Sequence, residues 1–227
     1  MFLLLILNIL YFNDAVMKHQ HLLLYTIIKT NGDIKMTSMF ETLDRSDSNK
    51  NNNKIKSAYF AGGCFWCTEH DLKQVHGVQD VISGYSGGDV SNPTYVEVCS
   101  GMTGHREAVK VLYNPDEISY RELVDEFLKT IDPLDSGGQF FDRGLQYTNA
   151  VFYLDDEEKN AAAEQLKKAA EFLNVKEIAV TVLSFKNFFE AEEYHQKFSD
   201  KMPERYCSYR DSSGRDQKLK IIWKIEK

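Results

Sequence analysis

The chain has 227 residues, a net charge of −7 at pH 7 and a hydrophobic fraction of 43 %. These values describe one ordinary globular domain with appendages and exclude collagen-like or linker-dominated chains. The acidic balance argues against nucleic acid or an anionic membrane as partner, four cysteines are too few for a disulfide scaffold, and no apolar run reaches the roughly 18 residues of a membrane span.

Residues 1–56 differ from the rest. They hold seven Lys/Arg against five Asp/Glu, whereas the remainder carries a net −9. Two apolar runs, 2–12 and 22–28, precede a polar tract from Asp44 to Lys56 that cannot bury apolar surface and reads as a linker. Residues 2–12 have the length of a signal-peptide core, but no basic segment precedes them. The segment is expected to be a leader without chemistry. A cytoplasmic location follows, with export through a weak signal as the alternative.

From Ser57 the pattern tightens. Ala58 to Ala61 reads as a buried strand closed by Gly62-Gly63, and residues 64–76 read as a helix. Val78 to Tyr85 is β-like, and Asn92-Pro93 marks a loop. His105 to Tyr113 alternates, with Val109, Val111 and Tyr113 on one face. Ser119-x-x-Glu122 predicts a capping box ahead of an amphipathic helix through Ile131. A glycine-rich loop, a strand over 150–154 and a helix capped by Asp155 follow. Ile178 to Leu183 reads as a strand and Asn187 to Phe198 as a last helix stopped by Pro203. The fold expected is α+β: a two-layer sandwich of antiparallel sheet and helices, with a ferredoxin-like β-α-β-β-α-β core and an irregular C-terminal tail. The domain is expected over 57–210 and the tail over 211–227.

Chemistry concentrates first in Gly62-Gly63-Cys64-Phe65-Trp66-Cys67. Cys64 falls at a helix N-terminus, where free amides and the positive dipole end favour a thiolate. Cys67 lies one turn on, within reach of a disulfide. A C-x-x-C pair alone reads first as a redox couple, and otherwise as half a zinc site or two buried small residues. Zinc needs two further ligands, and Cys99, His105 and Cys207 are not arranged as a second C-x-x-C or H-x-x-x-H. Phe65 and Trp66 suit an apolar substrate pocket or the core. Glu107, if buried near a thiol, would have a raised pKa and could donate a proton. Asp142 and Tyr147 follow the glycine-rich loop. Glu192 to Gln196 would otherwise be a solvated charged face. Cys99 reads as a buried structural thiol.

The ordered set GGCFWC, GYSGG, NPTY, VCSG-x-TGH-x-E, DRG-x-QY and AEEYHQ resembles the A-type peptide methionine sulfoxide reductases, from about Tyr59 to about Tyr206. That resemblance implies reduction of the S epimer of methionine sulfoxide, free and in proteins, through a cysteine sulfenic acid recycled by thioredoxin. Cys64 would be the nucleophile and Glu107 the proton donor. Tyr95 and Tyr147 would bind the sulfoxide oxygen, and Phe65 and Trp66 would cage the methyl group. Asp142 would hold the substrate backbone, and His195 would support the site from the last helix. The resolving cysteine would be Cys67, with Cys207 on a flexible tail as the alternative. No metal, flavin or nucleotide is implied, and a monomer is expected. The rivals are a general thiol–disulfide oxidoreductase and a zinc-stabilised binding module.

Overall fold

The computed structural model describes residues 25–30, 33–38 and 55–224. Most of the expected leader and linker therefore lies outside the described residues. Within it, β1 (Tyr25–Thr30) and β2 (Asp33–Ser38) pair antiparallel, Thr30 opposite Asp33. The intervening Asn31-Gly32 is the dipeptide favoured in two-residue hairpin turns. The apolar-run reading of 22–28 passed over that signal.

The second compact unit, residues 53–227, holds a six-stranded sheet. Its strands are β3 (Lys56–Ala61), β4 (Val78–Ser86), β5 (Arg106–Tyr113), β8 (Asn149–Tyr153), β9 (Val180–Ser184) and β10 (Phe188–Glu190). They lie in the order β10-β4-β5-β3-β8-β9, and every pair is antiparallel except β8–β9. The sheet is thus mixed, not wholly antiparallel as expected. The helix α4 (Asp156–Phe172) carries the chain back from the end of β8 to its start, which makes β9 parallel.

Alternation along β5 puts Val109, Val111 and Tyr113 under the helices α1 (Phe65–Lys73) and α3 (Tyr120–Lys129), where Phe60, Leu123, Phe127 and Leu128 complete the main core. The opposite face is thinner: Ala61, Ala108, Ala150 and Phe152 pack beneath Tyr59, Phe185 and Phe188. The helix α3 starts at the expected capping box, the Ser119 side chain accepting from the Glu122 amide and Glu122 accepting from the Ser119 amide. A second capping box, Thr94 with Glu97, opens the short helix α2 (Tyr95–Cys99) inside the expected loop. Short strands β6 (Gly138–Gln139) and β7 (Asp142–Arg143) and a 3₁₀ turn (Leu145–Tyr147) shape the glycine-rich loop.

Two expectations fail at the C-terminal end. The last helix over 187–198 is instead β10, paired with Gly84 to Ser86 of β4, then a series of turns before the one-turn helix α5 (Phe198–Lys201). The polar side chains there are consumed by the sheet edge. Gln196 accepts from the Ser83 amide and donates to the Ser83 carbonyl, and Glu192 accepts from Tyr85 and from the Tyr95 amide. The tail is not irregular either. It forms α6 (Pro203–Ser213) and α7 (Arg215–Trp223), separated by Gly214 at φ +68°. Pro203 starts a helix rather than only stopping one. These helices are anchored by polar contacts, which hydrophobic periodicity does not reveal. Arg210 pairs with Asp71 and Asp216, and buried Arg215 donates to the carbonyls of Thr130 and Gly62.

Candidate active site

The site begins at a tight turn. Gly63 sits at φ +81°, and a side chain there would lie 2.5 Å from Gln139 Cβ, so only glycine fits. The turn delivers Cys64 as the N-cap of α1. The first amide of that helix, Phe65 N–H, donates to Glu107 Oε2 at 2.9 Å. The helix N-terminus therefore faces the carboxyl of β5, and Cys64 makes no side-chain cap bond.

This changes the electrostatics expected for Cys64. Its thiol is buried, and burial raises its pKa well above the ordinary range; the nearby Cys67 and Glu107 raise it further, against a hydrogen bond from Tyr209. Cys67, wholly buried, is pulled down to about 7 by a hydrogen bond from Cys64 and by the charges of Arg215 and Arg210. The expected dipole-stabilised Cys64 thiolate is thus replaced in the resting site by a Cys64 thiol that donates to its neighbour.

Burial pushes Glu107 up to about 8. At neutral pH it is a neutral acid. Its Oε2 already accepts from Phe65, so the other oxygen is free to carry the proton.

A pocket of about 50 Å³ joins these groups. Cys64, Phe65, Trp66, Tyr95, Glu107, Asp142, Tyr147 and Tyr209 line it. Burial also raises the phenols of Tyr95 and Tyr147, which stay protonated donors. His195 stands behind the pocket wall: its Nδ1 accepts from Trp66 Nε1 at 3.1 Å, and burial lowers its pKa, keeping it neutral. It reaches this place from a turn, not from a helix. Seven of the sequence-predicted residues thus meet in one pocket, and His195 supports one of them.

Cys207 is the exception. It is exposed on α6, whereas Cys64 and Cys67 are buried. Cys99 is half-buried at the end of α2 rather than a core thiol. Among the described residues no group of three or more His, Cys, Asp or Glu side chains could hold a metal ion. A larger groove of about 530 Å³ near Val75, Glu117 and Lys129 has no cysteine in its lining.

Sequence reasoning missed three contributors. Tyr85 is fully buried and donates to Glu192 Oε2 at 2.7 Å, while Glu192 Oε1 accepts from the Tyr95 amide at 2.8 Å. One carboxylate so fixes the start of α2 and the phenol it carries. Tyr209 enters the pocket from α6 and donates to Asp142 Oδ2. The only sequence signal for Tyr209 is an aromatic in a polar stretch.

A buried thiol pair facing a neutral carboxylic acid and two phenols defines a thiol-dependent redox site that can protonate a departing oxygen. The peptide methionine sulfoxide reductase family model matches residues 56–227. A peptide methionine sulfoxide reductase MsrA of Bacillus licheniformis is 47 % identical over 171 residues, covering 75 % of this chain and 94 % of that protein. A peptide methionine sulfoxide reductase MsrA/MsrB of Vibrio cholerae is 44 % identical over 190 residues, covering 80 % of this chain and 47 % of that protein. Among solved structures, reduced Mxr1 of Saccharomyces cerevisiae superposes with a TM-score of 0.63 at 34 % identity, covering 68 % of this chain and 90 % of that one. The chain belongs to the peptide methionine sulfoxide reductase family.

Proposed function

We propose that this chain reduces the S epimer of methionine sulfoxide, free and in proteins, to methionine. Family membership makes it a methionine sulfoxide reductase, an oxidoreductase of the peptide-methionine (S)-S-oxide class. The observation that carries the mechanism is the shared pocket of Cys64 and a Glu107 that is neutral below about pH 8.

Cys64 attacks the sulfoxide sulfur, Glu107 delivers a proton to the sulfoxide oxygen, and the thiol proton of Cys64 replaces the one that Glu107 gave up. Tyr95 and Tyr147 hydrogen-bond that oxygen. Phe65 and Trp66 take the methyl group, with His195 orienting Trp66, and Asp142 holds the substrate backbone. The substrate sulfur is reduced to a thioether, and Cys64 is oxidised to a sulfenic acid, which keeps the oxygen. Cys67 then condenses with it, forming a disulfide and releasing water, and a thioredoxin dithiol reduces the disulfide. The hydrogen bond from Cys64 to Cys67 and the exposure of Cys207 support Cys67 as the resolving residue.

The strand order β4-β5-β3-β8, with every pair antiparallel, supports a ferredoxin-like core within the sheet. Residues 57–210 form the catalytic domain, residues 211–227 its tail, and residues 1–56 a leader. The enzyme works as a monomer in the cytoplasm, where dithiol reductant is available. No helix among the described residues is long and apolar enough to cross a membrane.

The test is a single turnover of S and R methionine sulfoxide without reductant, followed by mass spectrometry of the cysteines. Methionine from the S epimer alone, with a Cys64–Cys67 link, is expected. Absence of methionine from both epimers in folded protein overturns the reading.

A further inference from the structure

The pocket has one wall that comes from the far end of the chain. The helix α6 is held by Arg210, which pairs with Asp71 Oδ1 at 2.8 Å, and by Tyr206, which is buried and accepts from Arg210 Nη1 at 2.8 Å. From this docked helix a single side chain, Tyr209, points into the pocket. Its ring stands edge-on to Trp66, with centroids 5.9 Å apart at 85°. Its hydroxyl donates to Asp142 Oδ2, and Tyr209 shares the lining of the small pocket with Cys64, whose thiol its hydroxyl draws down in pKa.

One hydroxyl proton therefore sits in a pocket that offers two acceptors, Asp142 and the Cys64 sulfur. Asp142 is half-buried, and burial raises its pKa. A carboxyl that takes a proton no longer needs the phenol as donor and can itself donate to the phenol oxygen. That frees the Tyr209 proton for the sulfur. The groups that face Cys64 are otherwise the thiol of Cys67, the acid Glu107 and the phenols of Tyr95 and Tyr147. No cation lies among the pocket-lining residues. A sulfur anion formed here depends on neutral donors.

We propose that the Tyr209 hydroxyl donates a hydrogen bond to the Cys64 sulfur during catalysis, so that α6 supplies a catalytic side chain to a pocket otherwise lined by residues between Cys64 and Tyr147. The proposal rests on Cys64 being the nucleophile. The bond stabilises the attacking thiolate and, after oxygen transfer, the sulfenate. The phenol remains protonated throughout, because burial and the acidic neighbours hold its pKa far above neutrality. No proton is lost from Tyr209 in any step; it moves between acceptors.

The experiment compares Tyr209→Phe, Tyr206→Phe and the unaltered chain. Alkylation of Cys64 by iodoacetamide is followed by residue-resolved mass spectrometry across pH, and the single-turnover rate with S methionine sulfoxide is measured alongside. Tyr209→Phe keeps the ring against Trp66 and removes only the hydroxyl. It is expected to raise the pH midpoint of Cys64 alkylation by about one unit, a tenfold loss of thiolate at fixed pH. The single-turnover rate at neutral pH is expected to fall about tenfold with it. Tyr206→Phe, which removes a hydroxyl that only braces α6, is expected to move neither. A Tyr209→Phe profile that overlays the unaltered one overturns the proposal, as does an equal shift in both variants, which would mean a helix-docking effect. Cys64→Ser in parallel separates the two levels. Turnover retained there removes the nucleophile assignment itself, whereas an inactive Cys64→Ser beside an unmoved Tyr209→Phe removes only the role of Tyr209.

Discussion

The two thiols of the Cys64–Cys67 pair sit one helical turn apart but in opposite surroundings. Cys64 faces the acid side of the site: Glu107, Asp142 and the phenols of Tyr95, Tyr147 and Tyr209. Cys67 faces the cationic side, where Arg210 and Arg215 approach from the C-terminal helices. Both positions are buried, so burial alone does not separate them. What separates them is first the hydrogen bond between them, which raises Cys64 and lowers Cys67, and then the sign of the nearby charge. An acid surround disfavours ionisation of Cys64 and, in the proposed reaction, holds a proton for the departing oxygen. A cationic surround holds Cys67 near its ionisation point at neutral pH, which suits the attack that resolves a sulfenic acid.

The largest effects test the acid side. Cys64→Ser is expected to abolish turnover even with a chemical reductant; measurable methionine from that variant ends the assignment. Glu107→Gln is expected to slow the chemical step by about 10²–10⁴-fold. Its signature is also in pH. Glu107 acts only when protonated, and its pKa is raised to about 8, so activity falls as pH rises through that value. The residual activity of Glu107→Gln should lack this limb. Stability carries the same sign. A carboxyl raised from 4.5 to about 8 by folding favours the protonated fold, so its neutral form costs nothing below pH 4.5 and the fold loses stability as pH rises between the two values. Glu107→Gln should flatten the melting temperature across that window, and a slope equal to the unaltered chain's would show that Glu107 is not the group titrating.

How much of this contrast was legible from residues differs between the two sides. The acid side announces itself locally. Glu107 lies in the alternating stretch of β5, and Cys64 follows a glycine turn, so both positions follow from pattern. Their ionisation does not, because it depends on burial and on which group receives the first amide of α1. The cationic side is almost invisible. Residues 203–223 carry little amphipathic periodicity, and their anchors are Arg210 with two carboxylates and Arg215 with two carbonyls. Polar anchoring leaves no apolar stripe to count. The turns after β10 were misread for the related reason that Glu192 and Gln196 point into the sheet edge while looking like a solvated helix face. The helix α2 escaped because five residues are too few for periodicity, although its capping box was there to find.

Recycling tests the assignment of Cys67. Cys67→Ser should keep the first turnover and lose thioredoxin-supported cycling, with sulfenic acid trapped on Cys64 by dimedone. Cys207→Ser should cycle normally, since its thiol is exposed on a docked helix. The opposite pattern would mean that α6 undocks during each cycle and would reverse the roles of the two cysteines.

The smallest effect separates the two arginines behind Cys67. Arg210 is compensated by Asp71 and Asp216, so little net field from it reaches the thiol. Arg215 is 1 % exposed; its guanidinium meets two carbonyls and the face of Phe140, 4.5 Å from the ring centre, and no carboxylate pairs with it among the described residues. Of the two charges that lower Cys67, that of Arg215 is the larger influence. Arg215→Lys keeps that charge but cannot bridge both carbonyls, so the expected cost is about 1–3 kcal/mol of stability with a Cys67 alkylation midpoint that stays close to the original. Arg215→Met loses the bridge and the charge together and should also raise the Cys67 midpoint. If Lys and Met shift Cys67 equally, the arginine acts by holding α7 against the Gly62 turn, and the cationic half of the contrast belongs to packing rather than to charge.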